Sequence, residues 1–269
     1  MRRRAFLLAS VLLATPAIAA ERVTFDGALV QGGLMQARVL PGSTVAVDGR
    51  PVRVSPQGIF LLGASREAKA VALEIAYPDG KREARQVAVA PRQFAVQRID
   101  GLPEKMVTPP PEVQARIKAE GEMVREVRKR DDARLDFHVA FDWPVTGRIS
   151  GVYGSQRILN GEPRAPHYGV DVAGPVGTPI KAPAAGIVTL AADLYFTGWT
   201  VILDHGHGLS SVFMHLDAIA AKAGQALKKG EVLGKLGATG RATGPHLHWG
   251  LNLFETRLDP QLLVPPMPE

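Results

Sequence analysis

The chain has 269 residues, of which 46% are hydrophobic and 22% charged, a composition typical of a globular protein with about two domains. It contains no cysteine, which excludes disulfides, thiolate metal sites and a cysteine nucleophile, so any metal must be bound by His, Asp or Glu. Once the arginines of the first four residues are set aside, basic residues exceed acidic ones by only about three, which gives little support to nucleic-acid binding.

Residues 1–20 predict an export signal. A basic start at Arg2 to Arg4 precedes the apolar run Ala5 to Ala14 and the small-residue cleavage pattern Ala17-Ile18-Ala19. The apolar run is shorter than the roughly 20 residues that a membrane-spanning helix needs, so no integral span is expected after cleavage. The pair Arg3-Arg4 also fits a twin-arginine signal, and Sec and Tat export both remain open.

Residues 21–98 predict a small immunoglobulin-like β-sandwich. Apolar residues alternate on both sides of Asp48-Gly49, which is a strong hairpin signal. A second alternation ends at the turn Pro78-Asp79-Gly80, and a further strand follows it. The segment Arg22 to Arg92 has no histidine and no catalytic cluster, so we expect it to bind or position something that the sequence does not identify. The alternating residues are Val45, Val47, Val52, Val54, Val71, Leu73, Ile75 and Tyr77.

Residues 99–136 are predicted to be a linker with a charged helix. Three prolines, Pro109 to Pro111, precede the helix-prone segment Glu112 to Arg134, whose few apolar residues predict a solvated connecting helix. From Phe137 onward, glycines recur between short apolar runs, which is typical of a compact antiparallel β domain over residues 137–265. The fold class predicted for the whole chain is therefore mainly β.

Four of the seven histidines fall into short patterns in this C-terminal region. His246 and His248 flank one leucine, so on a strand both side chains would project from the same face. His167 and Asp171 are four residues apart, and a strand would again place both on one face. Catalytic zinc usually has three protein ligands, which His167, Asp171 and one of the C-terminal pair would supply. His215 ends another apolar run and could act as a general base.

These patterns, in this order, resemble the lysostaphin-type or LytM-domain zinc metallopeptidases. The similarity rests on His167-x-x-x-Asp171, His215-Leu216 and Gly244-Pro245-His246-Leu247-His248, and it runs from about Trp143 to Asp259. The resemblance implies that His167, Asp171 and His248 bind one zinc ion. It also implies that His215 and His246 are catalytic and flank the reacting water. Which of the two is the base stays open, with a slight preference for His215.

The implied function is that of an exported zinc metalloendopeptidase that hydrolyses peptide cross-links of peptidoglycan. The leader and the absence of a lipid-attachment cysteine favour the periplasm, and with it the D-alanyl–diaminopimelate cross-link over glycine bridges. One alternative is a non-enzymatic LytM-domain regulator of cell-wall amidases, although all five motif residues are retained. Another is a cell-wall binding protein whose N-terminal sandwich holds the ligand. Protein partners, oligomeric state and any autoinhibition by the charged helix are not determined.

Five other residues lie outside this set of five. His205 is expected to be structural, His207 to be a surface turn residue, and His138 to be neutral and structural. Arg157 and Asn160 lie in the segment Gln156 to Arg164, and we expect them to line the cleft and contact a peptide.

Overall fold

The structure is a computed structural model that describes residues 21–101 and 107–268. The predicted export signal, residues 1–20, lies outside the described residues. Twenty strands and one α-helix make up the described part, which confirms the mainly β prediction. Within the same ranges, every helix is too short or too polar to cross a membrane.

The N-terminal segment forms two antiparallel sheets that share one hydrophobic core. Alternating side chains of both sheets, such as Val45, Phe60 and Leu73, are buried there. The Asp48-Gly49 hairpin is confirmed, because both residues have positive φ and the flanking strands pair Val45 with Val52. The immunoglobulin-like classification and the boundary at residue 98 stay predictions. One sheet has the order β1 (Val23–Phe25), β2 (Leu34–Val39), β5 (Ile59–Gly63), and the other β4 (Arg50–Val52), β3 (Thr44–Val47), β6 (Ala70–Ala76), β7 (Arg82–Ala88).

A short strand that follows the two N-terminal sheets pairs with a strand of the C-terminal half. Strand β8 (Val96–Ile99) runs parallel to β10 (Gln156–Leu159), which pairs on its other edge with β11 (Glu162–Pro163). No sequence pattern predicted β8, since its four residues have no alternation of their own. The residues at the C-terminal end of the predicted sandwich segment are therefore part of a sheet with the C-terminal half.

Helix α1 (Pro111–Val127) ends earlier than the sequence predicted. The helix-prone segment was expected to extend to Arg134, but Asp132 accepts a hydrogen bond from the backbone N–H of Arg134 at 3.1 Å and forms a turn instead. None of the helix residues is buried, in agreement with the predicted solvated connecting helix whose few apolar residues make its contacts. Val124 and Val127 pack against a small apolar cluster on the large sheet, formed by Leu190, Leu194, Ile202 and Val212.

The C-terminal half is built on one large antiparallel sheet. Its central strands bury one face in the main hydrophobic core, which contains Phe213, Leu247 and Trp249. The opposite face carries Ile202, Val212 and Met214, and α1 covers part of it. The order is β17 (Ala226–Leu227), β14 (Gly186–Leu194), β15 (Gly198–Gly206), β16 (Leu209–Ile219), β19 (His246–Leu253), β12 (Val170–Ala173), β9 (Arg148–Gly151), with β18 (Val232–Leu236) on β16, β13 (Pro179–Lys181) on β18 and β20 (Thr256–Leu258) on β19; a short 3-10 helix, Pro260–Leu263, follows.

The two halves share buried surface. Ile59 and Leu61 of β5 face away from their own core and belong to the main core of the C-terminal half. Arg92 forms an ion pair with the buried Asp259 at 2.7 Å, and the N–H of Asp259 donates to the carbonyl oxygen of Gly32 at 2.7 Å. The N-terminal sandwich is therefore packed on the C-terminal half.

Candidate metal centre

Strand β19 presents the two C-terminal histidines as their alternation predicts. His246 begins the strand, His248 follows two residues later, and Leu247 between them is fully buried in the core. His248 lies directly opposite Asp171 of β12 in the antiparallel register. Because directly opposite residues project from the same face of a sheet, the imidazole and the carboxylate meet.

His167 reaches the site by a different route from the one predicted. It precedes β12, which begins at Val170, so His167 and Asp171 do not share a strand face. The intervening loop passes over β19 at Gly169, where a Cβ atom would lie 2.6 Å from Nε2 of His248. Glycine is therefore required for this close approach. The two residues converge through the loop rather than through a strand period.

Three potential metal-binding atoms converge in this buried site. Nε2 of His167 lies 2.9 Å from Nδ1 of His248, and both nitrogens lie close to Oδ1 of Asp171, at 3.0 and 2.8 Å. Ligand bonds of 2.0–2.2 Å place the donor atoms of tetrahedral zinc about 3.3 Å apart, so only a small outward shift is needed to accept an ion. Two imidazoles and one carboxylate also suit zinc by donor type. These residues fit a metal.

The tautomer of His167 supports the same conclusion. Its Nδ1 lies 3.0 Å from the carbonyl oxygen of Val152, which can only accept a hydrogen bond, so Nδ1 carries the proton. Nε2 is then left with a lone pair directed at Asp171 and His248. A backbone carbonyl that orients a ligating histidine in this way is a usual feature of metal sites.

His215 and His246 lie beside this group, and each uses Nδ1 to hydrogen-bond a backbone carbonyl oxygen. Their ring centroids are 4.8 Å apart, and Nε2 of His246 is 3.9 Å from Oδ1 of Asp171. His215 donates its Nδ1–H to the carbonyl oxygen of Thr239 at 2.8 Å, and His246 donates in the same way to Gly244 at 2.8 Å. Both Nε2 atoms therefore remain available for a reacting group. The structure brings all five predicted site residues together.

Burial sets the protonation of the site. Burial, reinforced by the neighbouring His246 and His248, lowers the pKa of His215 to about 3. Burial also lowers the pKa of His248 to about 4. Burial alone would raise the pKa of Asp171, but its close contacts with the ring nitrogens of His167 and His248 outweigh it and hold that pKa well below its usual range. At neutral pH the rings of His215 and His248 are therefore neutral and the carboxylate of Asp171 is ionised.

The opening to the site is a narrow cleft of about 110 Å³. Arg157 lines it, as predicted, and one of its terminal nitrogens lies 3.6 Å from Oδ2 of Asp171. Arg241 also lines it and was missed, although it stands in the glycine-rich segment just before His246. Gln97 and Ile99 of β8 form another wall, for which the sequence offered no signal. Asn160 does not line this cleft; it lies in the turn that joins β10 to β11 with positive φ.

The remaining histidines lie outside the site. His205 is fully buried and uses both ring nitrogens, Nδ1 toward the carbonyl oxygen of Ala185 at 2.7 Å and Nε2 toward Ser211 Oγ at 2.9 Å. The prediction for His207 was wrong: its side chain is buried and packs on Phe137, because the segment after α1 folds over this turn. His138 is exposed and contacts Gln36 of β2 at 2.6 Å.

Comparison with known proteins places this geometry among metallopeptidases. The profile described as Peptidase family M23 matches residues 165–260, which include all five site residues. A crystal structure from Pseudomonas aeruginosa assigned to peptidase M23 is 34% identical and covers 88% of this chain and 96% of its own, with a TM-score of 0.69.

Curated relatives match a shorter part of the chain, and two of them illustrate the similarity. Peptidoglycan DD-endopeptidase ShyA of Vibrio cholerae is 38% identical over 105 residues, which are 39% of this chain and 24% of that protein. DD-carboxypeptidase/endopeptidase Mpg of Neisseria meningitidis is 37% identical over 103 residues, which are 38% of this chain and 24% of that protein. The matched region of the chain thus spans about a quarter of the length of these relatives.

Proposed function

Because the chain belongs to peptidase family M23, we propose that it is a zinc metalloendopeptidase that hydrolyses peptide cross-links of peptidoglycan. The observation that carries the proposal is the convergence of one carboxylate oxygen and two imidazole nitrogens, with two further imidazoles beside them. The names of the Vibrio and Neisseria relatives support peptidoglycan as the substrate. They also support a peptide bond between two D-configured centres as the bond that is hydrolysed. The predicted export signal supports action in the periplasm.

His167, Asp171 and His248 would hold the metal through Nε2, Oδ1 and Nδ1. When bound there, zinc polarises a carbonyl group and makes water acidic enough to act as a nucleophile near neutral pH. The carboxylate supplies one negative charge, and the carbonyl of Val152 holds the ring of His167 in place. The chain therefore provides three protein ligands for a metal ion and leaves space beside the ion for a substrate.

His215 and His246 would carry out the proton transfers. Neutral His215 accepts a proton at Nε2, because its Nδ1–H is already donated to Thr239 and its low pKa keeps the ring neutral. Nε2 of His246 lies on the same side of the site and would orient or stabilise the oxygen of the scissile carbonyl. We propose His215 as the base, since donation of its Nδ1–H to Thr239 fixes the ring with Nε2 toward the site.

The proposal is tested by measuring the zinc content and identifying the reaction products of the same protein samples. The purified mature protein, its His248→Ala variant and a chelator-treated sample are analysed for zinc and incubated with defined sacculi, and released muropeptides are identified by mass spectrometry. We expect one zinc per chain and cleaved cross-links for the wild type only. A wild-type protein that releases nothing, or whose zinc content does not depend on His248, would contradict the proposal and favour a regulatory protein.

A further inference from the structure

A second cavity, of about 390 Å³, lies between α1 and the open face of the large sheet. Its floor is apolar and includes Ile202, Val212 and Met214, while Ile117 and Val124 of α1 line the opposite side. Its volume falls within the usual range for small-molecule sites, whereas the cleft over the metal centre is much smaller. This cavity has room for part of a ligand that the cleft alone does not accommodate.

The cavity borders the metal centre. Met214 on its floor is the directly opposite partner of His248 in the β16–β19 register, so both side chains project from the same face with Cβ atoms about 5 Å apart. Thr197, another lining residue, accepts a hydrogen bond from the backbone N–H of His215 at 2.8 Å. Because an extended peptide advances by about 3.5 Å per residue, a peptide crossing the metal centre reaches the cavity within a few residues.

The cavity contains a buried cation without an ion-pair partner. Arg128 follows the last residue of α1, is 4% exposed and lines the cavity, and its Nε has no hydrogen-bond partner. Among the described residues, no carboxylate forms an ion pair with it. Burial, together with repulsion from the nearby Arg257, lowers the pKa of Arg128 to about 9.

Arg257 adds a second cation to the same wall. Its guanidinium lies 5.8 Å from the ring of Tyr168, and no carboxylate of the described residues is within ion-pair distance. Of the two acids that line the cavity, Glu120 is occupied by Arg116 and the N–H of Tyr195. Glu255 is exposed and attracts both arginines at longer range without forming an ion pair with either. Leaving buried charges unpaired is costly, and a ligand with the opposite charge would remove that cost.

We propose that this cavity is a carboxylate-binding subsite for the peptide substrate, with Arg128 and Arg257 pairing with the carboxylate and the apolar floor contacting the adjacent aliphatic groups. The guanidinium group suits this task because its N–H groups match the two oxygens of a carboxylate. The inference rests on the proposed function for the identity of the peptide, but the binding itself requires neither zinc nor hydrolysis.

The test measures binding to metal-free protein by isothermal titration calorimetry. The probes are N-acetyl-D-alanyl-D-alanine, its C-terminal amide, and sodium acetate. For the wild type we expect the Kd of the acid to be lower than that of the amide by at least about tenfold, the usual scale for a hydrogen bond to a charged group. We expect acetate to bind more weakly than the dipeptide acid, because it lacks the groups that contact the floor.

Three variants locate the interaction. Arg128→Met is expected to abolish the preference for the acid without lowering the melting temperature, since an unpaired charge is replaced by an apolar chain of similar length. Glu255→Gln is expected to tighten binding of the acid, because it removes a competing negative charge. Lys118→Met removes one positive charge from the exposed surface of α1 outside the cavity and is expected to leave the Kd unchanged.

The outcomes that would overturn the proposal are distinct from failure of the catalytic one. Equal affinity for acid and amide, acetate binding as tightly as the dipeptide, or a preference that survives Arg128→Met each contradicts the subsite. If Arg128→Met does not fold, Arg257→Met must reduce the preference, and an unchanged preference there also contradicts it. Sacculi that stay uncleaved while acid and amide are still distinguished would count against the catalytic proposal alone.

Discussion

Three of the four site histidines donate Nδ1–H to a backbone carbonyl oxygen. His167, His215 and His246 bond in this way to Val152, Thr239 and Gly244, which leaves each Nε2 facing the centre of the site. His248 is the exception and turns Nδ1 toward Asp171. Backbone carbonyls cannot donate, so these contacts select the tautomer that metal binding and proton transfer need. Residue types alone do not contain this information.

The division of roles within the site predicts different effects for its histidines. We expect His215→Ala and His246→Ala to retain zinc, because neither supplies one of the three converging atoms, and to lower turnover by about 10²- to 10⁴-fold, the usual contribution of general acid–base catalysis. The larger loss is expected for His215→Ala. Zinc analysis and hydrolysis rates measured on the same preparations check this, with the exposed His138→Gln as control. Zinc loss in either variant would reassign that histidine as a ligand.

The buried His205 predicts a pH dependence of stability. Burial lowers its pKa to about 4 in the folded protein from 6.5, so below pH 6.5 the unfolded chain takes up a proton that the folded chain does not. Its contribution is therefore complete above pH 6.5 and is lost as the pH falls toward 4, by about 3 kcal/mol in total.

Urea unfolding at pH 7.5 and 4.5 in the presence of a chelator measures this effect. The free energy of unfolding should fall less for His205→Gln than for the wild type, because the glutamine does not titrate, while other titrating groups are common to both proteins. Parallel losses in the two proteins would show that His205 is not responsible.

At the scale of elements, α1 occupies the same face of the sheet as the metal centre. Its apolar residues Val124 and Val127 pack beside Met214, whose strand partner is the metal-site residue His248. The helix thus lies beside the metal centre, and whether it inhibits the site is a question that the sequence leaves open. A fragment starting near Phe137 is poorly suited to test this, because it would expose core residues that Ile59 and Leu61 cover.

Glycine at position 121 of α1 offers a test of the helix itself. It lies mid-helix without a positive φ, and an added Cβ would meet only Arg125 at 3.5 Å, an ordinary contact. We expect Gly121→Ala to raise the free energy of unfolding by about 0.5–1 kcal/mol, because alanine loses less conformational freedom in a helix. The exposed Ala119→Gly is the matched opposite change and should lower it by a similar amount. A urea midpoint that neither change shifts would indicate that α1 is already frayed.

At the scale of the whole molecule, the two halves are joined by a shared hydrophobic core. Strand β5 places Phe60 and Leu62 in the sandwich and Ile59 and Leu61 in the C-terminal core. Arg92 and Asp259 add an ion pair across the same boundary. The sandwich therefore supports the fold of the C-terminal half.

This arrangement predicts that both halves unfold together. Leu61→Ala should lower the free energy of unfolding by about 2–5 kcal/mol, as is usual for leucines removed from a core, and shift a single calorimetric transition. Leu40, which is 41% exposed in the same sandwich, provides the control: Leu40→Ala should change it by less than about 0.5 kcal/mol. Two separate transitions, of which Leu61→Ala moves only one, would contradict the shared core.

The sequence by itself determined the features that depend on local pattern. Alternation and the Asp48-Gly49 turn predicted the sandwich strands, and the order of the histidine motifs predicted the five site residues. Those signals are local because a strand period or a turn requires particular residue types at particular spacings. The family resemblance added the roles of the residues, which spacing alone left open between His246 and His248.

Only the tertiary structure decided how distant segments meet. The loop route of His167, the pairing of β8 beside the cleft and the burial of His207 depend on contacts between segments far apart in the chain. The same holds for Arg128. In the sequence it is one of many charged residues of the segment Glu112 to Arg134, and it becomes a buried cation without an ion-pair partner because α1 folds onto the sheet. Burial and charge pairing are properties of neighbours in space, and linear order does not specify them.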